Sequence, residues 1–187
     1  MRVTDGSFSG TSTVTATVAA VDPDWLEWRT REKTPASAVS VPVQAVYNDL
    51  VKERLSPAFR RLGFTGSGGR YSLKSDSCWA LLGLQKSAYS DAREVQFTAN
   101  LLVVARAAWS AMRAERTYLP ERPSPSTKYG PPAAIQRIGR LLPDPADLWW
   151  RLTTDSDISA VAEDALNKVR DYGLPWLQQQ MRLQDCY

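Results

Sequence analysis

The sequence predicts an α+β protein: a mainly antiparallel sheet of about four or five strands, an N-terminal helix, and C-terminal helices packed on one sheet face. Three observations predict it. Apolar residues recur at helical spacing over residues 43–62, two long alternating runs face each other across a polar turn within residues 78–106, and a capped amphipathic segment follows Asp155.

In the first of these, Val43, Val46, Tyr47, Leu50, Val51, Leu55, Phe59 and Leu62 form one stripe along a helix. Pro57 is expected to kink or restart it, since its ring removes a donor and collides with the preceding turn, and Gly63 to stop it. The stretch GFTGSGGR then reads as a flexible turn leading to a short strand with Tyr71 and Leu73. Its glycines lack the Lys-Ser or Lys-Thr pair that a phosphate loop needs.

The two long runs are CWALLGLQKSAY and REVQFTANLLVVAR. A strand presents alternate residues to opposite faces. One face therefore collects Leu81, Gly83, Gln85, Ser87 and Tyr89 from the first run and Gln96, Thr98, Asn100, Leu102, Val104 and Arg106 from the second. Polar residues stand there where a plain core would be apolar. That face is either solvated or a binding floor.

Downstream, residues 107–112 read as a helical turn, and residues 114–132 form a Pro-rich connection too long for a hairpin. IQRIGRLL, residues 135–142, reads as a strand. Asp144 followed by Pro145 looks like an N-cap and first helical residue, so PDPADLWW is expected to be a one-turn helix burying Leu148 and one tryptophan. Thr154 or Asp155 is expected to cap a helix whose stripe is Ile158, Val161, Ala162, Ala165, Leu166, Val169 and Tyr172. Gly173 should end it, and a second short helix should start at Pro175.

A chain of 187 residues with 43% apolar and 23% charged residues can fill an ordinary core. Residues 1–42, rich in Thr, Ser, Ala and Val, read as an appendage with an added strand at residues 11–21 and a helical turn after Asp22. Residues 43–187 read as a single α+β domain. The absence of histidine excludes Ser-His-Asp and Cys-His catalysis and His-ligated metals. Cys78 and Cys186 show neither metal-ligand spacing nor a disulfide framework, which gives an expectation of reduced thiols and a cytoplasmic location. No apolar run of membrane-spanning length and no basic-then-apolar leader order is present, so neither a membrane partner nor export is expected.

Charge is uneven although the net value is only +3. Residues 103–140 hold seven basic side chains against Glu115 and Glu121, whereas the acids dominate from Leu141 onward. A basic middle can attract phosphates or an acidic partner. The plainer expectation is a solvated loop whose arginines pair with the acidic C-terminal helix.

Several short motifs in fixed order carry a resemblance. They are Leu62-Gly63-Phe64, Gln85-Lys86-Ser87, Asn100, Arg137-Ile138-Gly139, Asp147-Leu148-Trp149-Trp150 and Tyr172-Gly173-Leu174-Pro175. Over about residues 43–181 the chain resembles the bacterial family catalogued as domain of unknown function 4304. The resemblance implies a fold and no established activity. A histidine that similar sequences would carry near the Arg-Ile-Gly segment is absent here.

The residues to which a ligand site is assigned are Gln85, Ser87, Asn100, Arg106, Arg137 and Trp150. Neutral amides and hydroxyls fix a ligand's orientation without moving protons at neutral pH, while the arginines and the indole would add a charge clamp and a flat wall. The same Gln85, Ser87 and Asn100 could equally serve buried backbone groups at a sheet edge. The expected function is a non-catalytic recognition module for a protein partner or small ligand, with an immunity or accessory role as a fold-level analogy. The alternative is a small enzyme or binder acting on a phosphate-bearing or nucleic-acid ligand without histidine or metal. Such an enzyme would need Lys86, Asp76 or Asp91 as base, and the two aspartates sit at turns. Trp109, Tyr118 and Tyr129 among the basic residues are a weak signal for nucleic acid. No cofactor, metal site or catalytic residue is assigned.

Overall fold

The computed structural model describes residues 42–185. The appendage lies outside them apart from Pro42. In chain order the elements are α1 (Val43–Asp49), a π turn (Leu50–Leu55), α2 (Ser56–Arg61), β1 (Phe64–Ser67), β2 (Arg70–Leu73), β3 (Cys78–Lys86), β4 (Val95–Ala105), α3 (Arg106–Glu115) and β5 (Ala134–Arg137). A 3-10 turn (Ile138–Leu141), β6 (Trp150–Leu152), α4 (Ile158–Lys168), a second π turn (Val169–Gly173) and α5 (Leu174–Leu183) follow.

Both long helical segments have the same construction, and the spacing of their buried residues explains it. Val43, Tyr47, Val51, Leu55 and Phe59 are buried at strict intervals of four, as are Ala165, Val169, Gly173, Leu177 and Met181. In an uninterrupted α-helix such a stripe would drift by about 40° per step, or about 160° over five positions. One π turn takes up an extra residue and returns about 100° of that drift, which keeps both stripes on the sheet. A proline follows each π turn, Pro57 and Pro175, in the first turn of the resumed helix. Lacking an N–H, proline has no α-helical bond to lose there. The hydroxyl of Ser56 donates to the Val51 carbonyl at 2.7 Å and lies 2.8 Å from the Tyr71 hydroxyl, so the first π turn is also tied to the sheet.

Gly173 therefore does not end the helix as expected. Its φ of −69° is helical. Its use is steric, since a Cβ at that position would stand 3.2 Å from Ile138 Cδ1.

All pairings in the six-stranded sheet are antiparallel, in the order β1-β2-β3-β4-β5, with β6 also on β4. β5 pairs with the second half of β4 and β6 with its start. The GFTGSGGR stretch is a hairpin rather than a flexible turn. Gly68 and Gly69 adopt φ of +60° and +80°, the two left-handed positions of a tight two-residue connection, and this lets Phe64–Ser67 pair as β1.

One sheet face is covered by the long helices. Cys78, Ala80 and Leu82 of β3 and Phe97, Ala99, Leu101 and Val103 of β4 join the buried helical stripes in the main core. On the opposite face Leu81, Leu102 and Val104 pack beneath Trp109 and Met112 of α3 and Leu119 of the Pro-rich connection. The face expected to be polar is thus half apolar and roofed, and only its other half forms a polar floor.

Four further expectations are corrected. The strand over residues 135–142 is β5 for four residues and then turns. PDPADLWW is not helical: the Ala146 N–H bonds the Gly139 carbonyl at 2.9 Å, holding the segment extended until it pairs as β6. The cap of α4 is Asp157, whose carboxylate accepts from the N–H groups of Ser159 and Ala160. Cys78 is disulfide-bonded, not a reduced thiol. Among the described residues no helix is long and apolar enough to cross a membrane.

Candidate functional site

The half of the second face left open by the apolar roof is a cleft of about 320 Å³. Its floor is built by register. Gly83 stands opposite Asn100 in the β3–β4 ladder, Gln85 lies two residues further on the same face, and Asn100 stands opposite Arg137 in the β4–β5 ladder. Ser126, Thr127 and Lys128 of the Pro-rich connection close one side, and Arg140 and Asp147 the other.

Asn100 organises the floor. It is 5% exposed, and its amide donates to Gln85 Oε1 at 2.6 Å and to Ser126 Oγ at 3.2 Å. Its Oδ1 accepts from Arg137 Nε at 3.4 Å, a long bond. Both amide protons are therefore used inside the protein, and Asn100 acts as a bracket joining two strands to the loop above them. Arg137 also pairs with Asp147 and lies over the Trp149 ring, 4.9 Å from its centroid. The Trp149 indole N–H donates to the second oxygen of Asp147 at 3.0 Å.

These contacts set the chemistry. The Arg137 hydrogen bond, then that of Trp149, holds the Asp147 carboxyl below the usual carboxylate range. Asp147 is thus a committed anion and a poor proton acceptor at neutral pH. Lys128 and Arg140 are exposed and have no ion-pair partner among the described residues, and the Gln85 Nε2 group donates to none of them. Three cations against one carboxylate, with neutral donors on the floor, favour an anionic group in the cleft.

The structure brings Gln85, Asn100 and Arg137 together and separates the other assigned residues from them. Ser87 closes the end of the β3–β4 hairpin, its hydroxyl accepting from the Tyr89 N–H at 3.1 Å. Arg106 lies in a different cleft at the far end of β4, over Trp79. Trp150 is on the helix-covered face. It stands opposite Phe97 in the ladder, stacks on that ring at 5.2 Å, and donates to Asp164 Oδ2 at 2.8 Å. Its neighbour Trp149 lies against Arg137 but does not line the cleft, so the flat wall expected from Trp150 is not part of it.

Lys128, Arg140 and Asp147 were not singled out from sequence as ligand contacts. Two of them lay in the noted basic segment, and Asp147 was read as part of a helix. The arginines of that segment do not pair with the C-terminal helix among the described residues: Arg137 pairs with Asp147, and Arg116 donates to the Tyr129 carbonyl at 3.3 Å. In a second depression, lined by Asp144, Asp164, Lys168 and Asp171, Lys168 pairs with Asp164 and Asp171 with Arg170. Among the described residues no group of three or more Cys, Asp or Glu could hold a metal.

The fold is that of an α+β sheet protein with one face covered by the two long helical segments and the other by α3 and the Pro-rich connection. The family model described as Domain of unknown function (DUF4304) matches residues 55–179, more than half of the chain, and the chain belongs to that family. The match spans the whole cleft, from Gln85 to Asp147. No curated protein and no solved structure matches the chain.

Proposed function

We propose that the protein is a non-catalytic binding module whose cleft takes a small anionic ligand. The observation that carries this reading is the excess of cationic and amide donors, Lys128, Arg140 and Gln85, that have no ion-pair or hydrogen-bond acceptor among the described residues, around a floor already fixed by Asn100. A volume of about 320 Å³ suits a small molecule rather than a protein surface. The single carboxylate, Asp147, is locked to Arg137 and Trp149, which leaves no group poised near neutrality for general acid or base work. The neutral donors would orient the ligand and Lys128 and Arg140 would hold its charge.

A cytoplasmic location, expected from reduced thiols, loses that support because Cys78 is disulfide-bonded and such bonds persist mainly in oxidising compartments.

A thermal-shift screen of small carboxylates, phosphates and nucleotides, followed by calorimetry on hits, tests the proposal. A hit should bind the wild type and lose roughly tenfold or more in affinity with Arg140→Gln or Lys128→Gln, neither of which touches the core. Hits that bind these variants and Asn100→Ala with unchanged affinity would sink it. So would a turnover of any hit that survives in Asp147→Asn.

A further inference from the structure

A second group of donors stands at the other end of the same sheet face and takes no part in the cleft just described. The guanidinium carbon of Arg106 lies 3.7 Å from the centroid of the Trp79 ring, and that of Arg122 lies 5.4 Å from it. Two guanidiniums on one indole repel each other, and proteins normally offset such a pair with a carboxylate. Here none of the described acids is in ion-pair reach of either. The surrounding cleft, of about 290 Å³, also contains Lys74 and a single acid, Asp76, which pairs with neither arginine.

The donors of Arg106 are largely unspent. One terminal nitrogen donates to the Ser75 carbonyl at 3.3 Å, and its enclosed Nε has no hydrogen-bond partner among the described residues. Stacking on Trp79 fixes the plane of the fork while leaving most of its N–H groups without an acceptor. Arg106 is also the first residue of the ten-residue helix α3, which has no side-chain cap, so the positive end of that helix adds to the same field.

The geometry points to a second ligand site, specific for a doubly charged oxyanion of the phosphate class, held by Arg106 and Arg122 against Trp79. Two forks and a nearby ammonium match the several acceptor oxygens of a phosphate monoester better than the two of a carboxylate. A cleft of about 290 Å³ would admit a phosphate together with a small organic group. The site is independent of the Asn100 cleft: the two share no lining residue, and either can fail alone.

The test is titration of the full chain with inorganic phosphate, phosphoserine and acetate at constant ionic strength, followed by the indole N–H resonances in proton–nitrogen correlation spectra. The Trp79 signal is assigned with Trp79→Phe. Saturable movement of that signal with phosphate or phosphoserine, at least about tenfold tighter than with acetate, is expected. Arg122→Gln, which leaves the core untouched, should weaken binding about tenfold or more, and Arg106→Gln further, whereas Arg113→Gln, elsewhere on α3, should not. Phosphoserine binding tighter than free phosphate would identify an ester, and the reverse order the free ion. Linear, unsaturating shifts, or binding equal in wild type and Arg122→Gln, would overturn the proposal.

Discussion

Gly83 of β3 lies directly beneath Pro125: a Cβ on Gly83 would stand 2.6 Å from Pro125 Cγ. The Pro-rich connection can descend onto the sheet only because that position has no side chain. Ser126, the next residue, is thereby brought within hydrogen-bond reach of Asn100. Gly83→Ala should lift the connection and cost about 1–3 kcal/mol as an overpacked contact. Urea unfolding and the rate of proteolysis within residues 114–132 measure it. Unchanged stability together with unchanged protection of the connection would show that the loop is not seated on Gly83.

Thr98 is fully buried, and its hydroxyl has no hydrogen-bond partner among the described residues. A buried, unpaired hydroxyl loses its hydration without replacement. Thr98→Val keeps the shape and removes the loss, so stability to urea should rise by about 1 kcal/mol. A decrease would mean that the hydroxyl is satisfied in solution.

Asp147 gives a pH dependence with a definite sign. Its folded-state pKa is depressed by Arg137 and Trp149, so the folded protein favours the ionised form more than the unfolded chain does. Its stabilising effect is full above the unfolded carboxylate value of about 4 and disappears as pH falls below it. The difference in melting temperature between wild type and Asp147→Asn should therefore be largest near neutrality and shrink between about pH 5 and about pH 3. A difference that stays constant over that window would rule out the ion pair as its source. Wild type itself should also weaken on acidification, because Asp91, held down by the backbone N–H groups of Arg93 and Glu94, and Glu94, held down by Gln96, titrate in the same direction.

Cys78 is buried and disulfide-bonded. Alkylation of the denatured chain without reductant should leave Cys78 unmodified, and prior reduction should expose it, as read by peptide mass. Full modification without reductant would contradict the bond.

How much of this was legible follows from which contacts are local. The alternation of β3 and β4, the polar group Gln85, Thr98 and Asn100 on one face, and the long helical stripes are patterns within a single element, and they could be read directly. Which edge of β4 receives β5, and which residue of β6 meets Phe97, depend on pairings across tens of residues. Register, not composition, sends Trp150 to the helix-covered face and leaves Trp149 beside Arg137. The apolar roof was missed for a similar reason: Leu81, Leu102 and Val104 are covered by Trp109, Met112 and Leu119, and none of those contacts has a local periodicity. Asp144-Pro145 carried a sound helix-start signal, and the backbone bond from Ala146 to Gly139 overrode it. The paired glycines at Gly68 and Gly69 did mark a hairpin, but the strand before them, FTGS, has too little apolar alternation to announce itself.

The two π turns have a consequence for how this chain can vary in length. Each long helix carries a reading frame, because the widened turn keeps its four-residue repeat in phase with the sheet. Deleting one residue within Leu50–Leu55 or Val169–Gly173 would restore uniform pitch and swing everything downstream by about 100°. Leu177 and Met181 in one helix, or Phe59 in the other, would then leave the core as a set. A substitution in these turns is a local event, whereas an indel of a single residue re-addresses an entire helix.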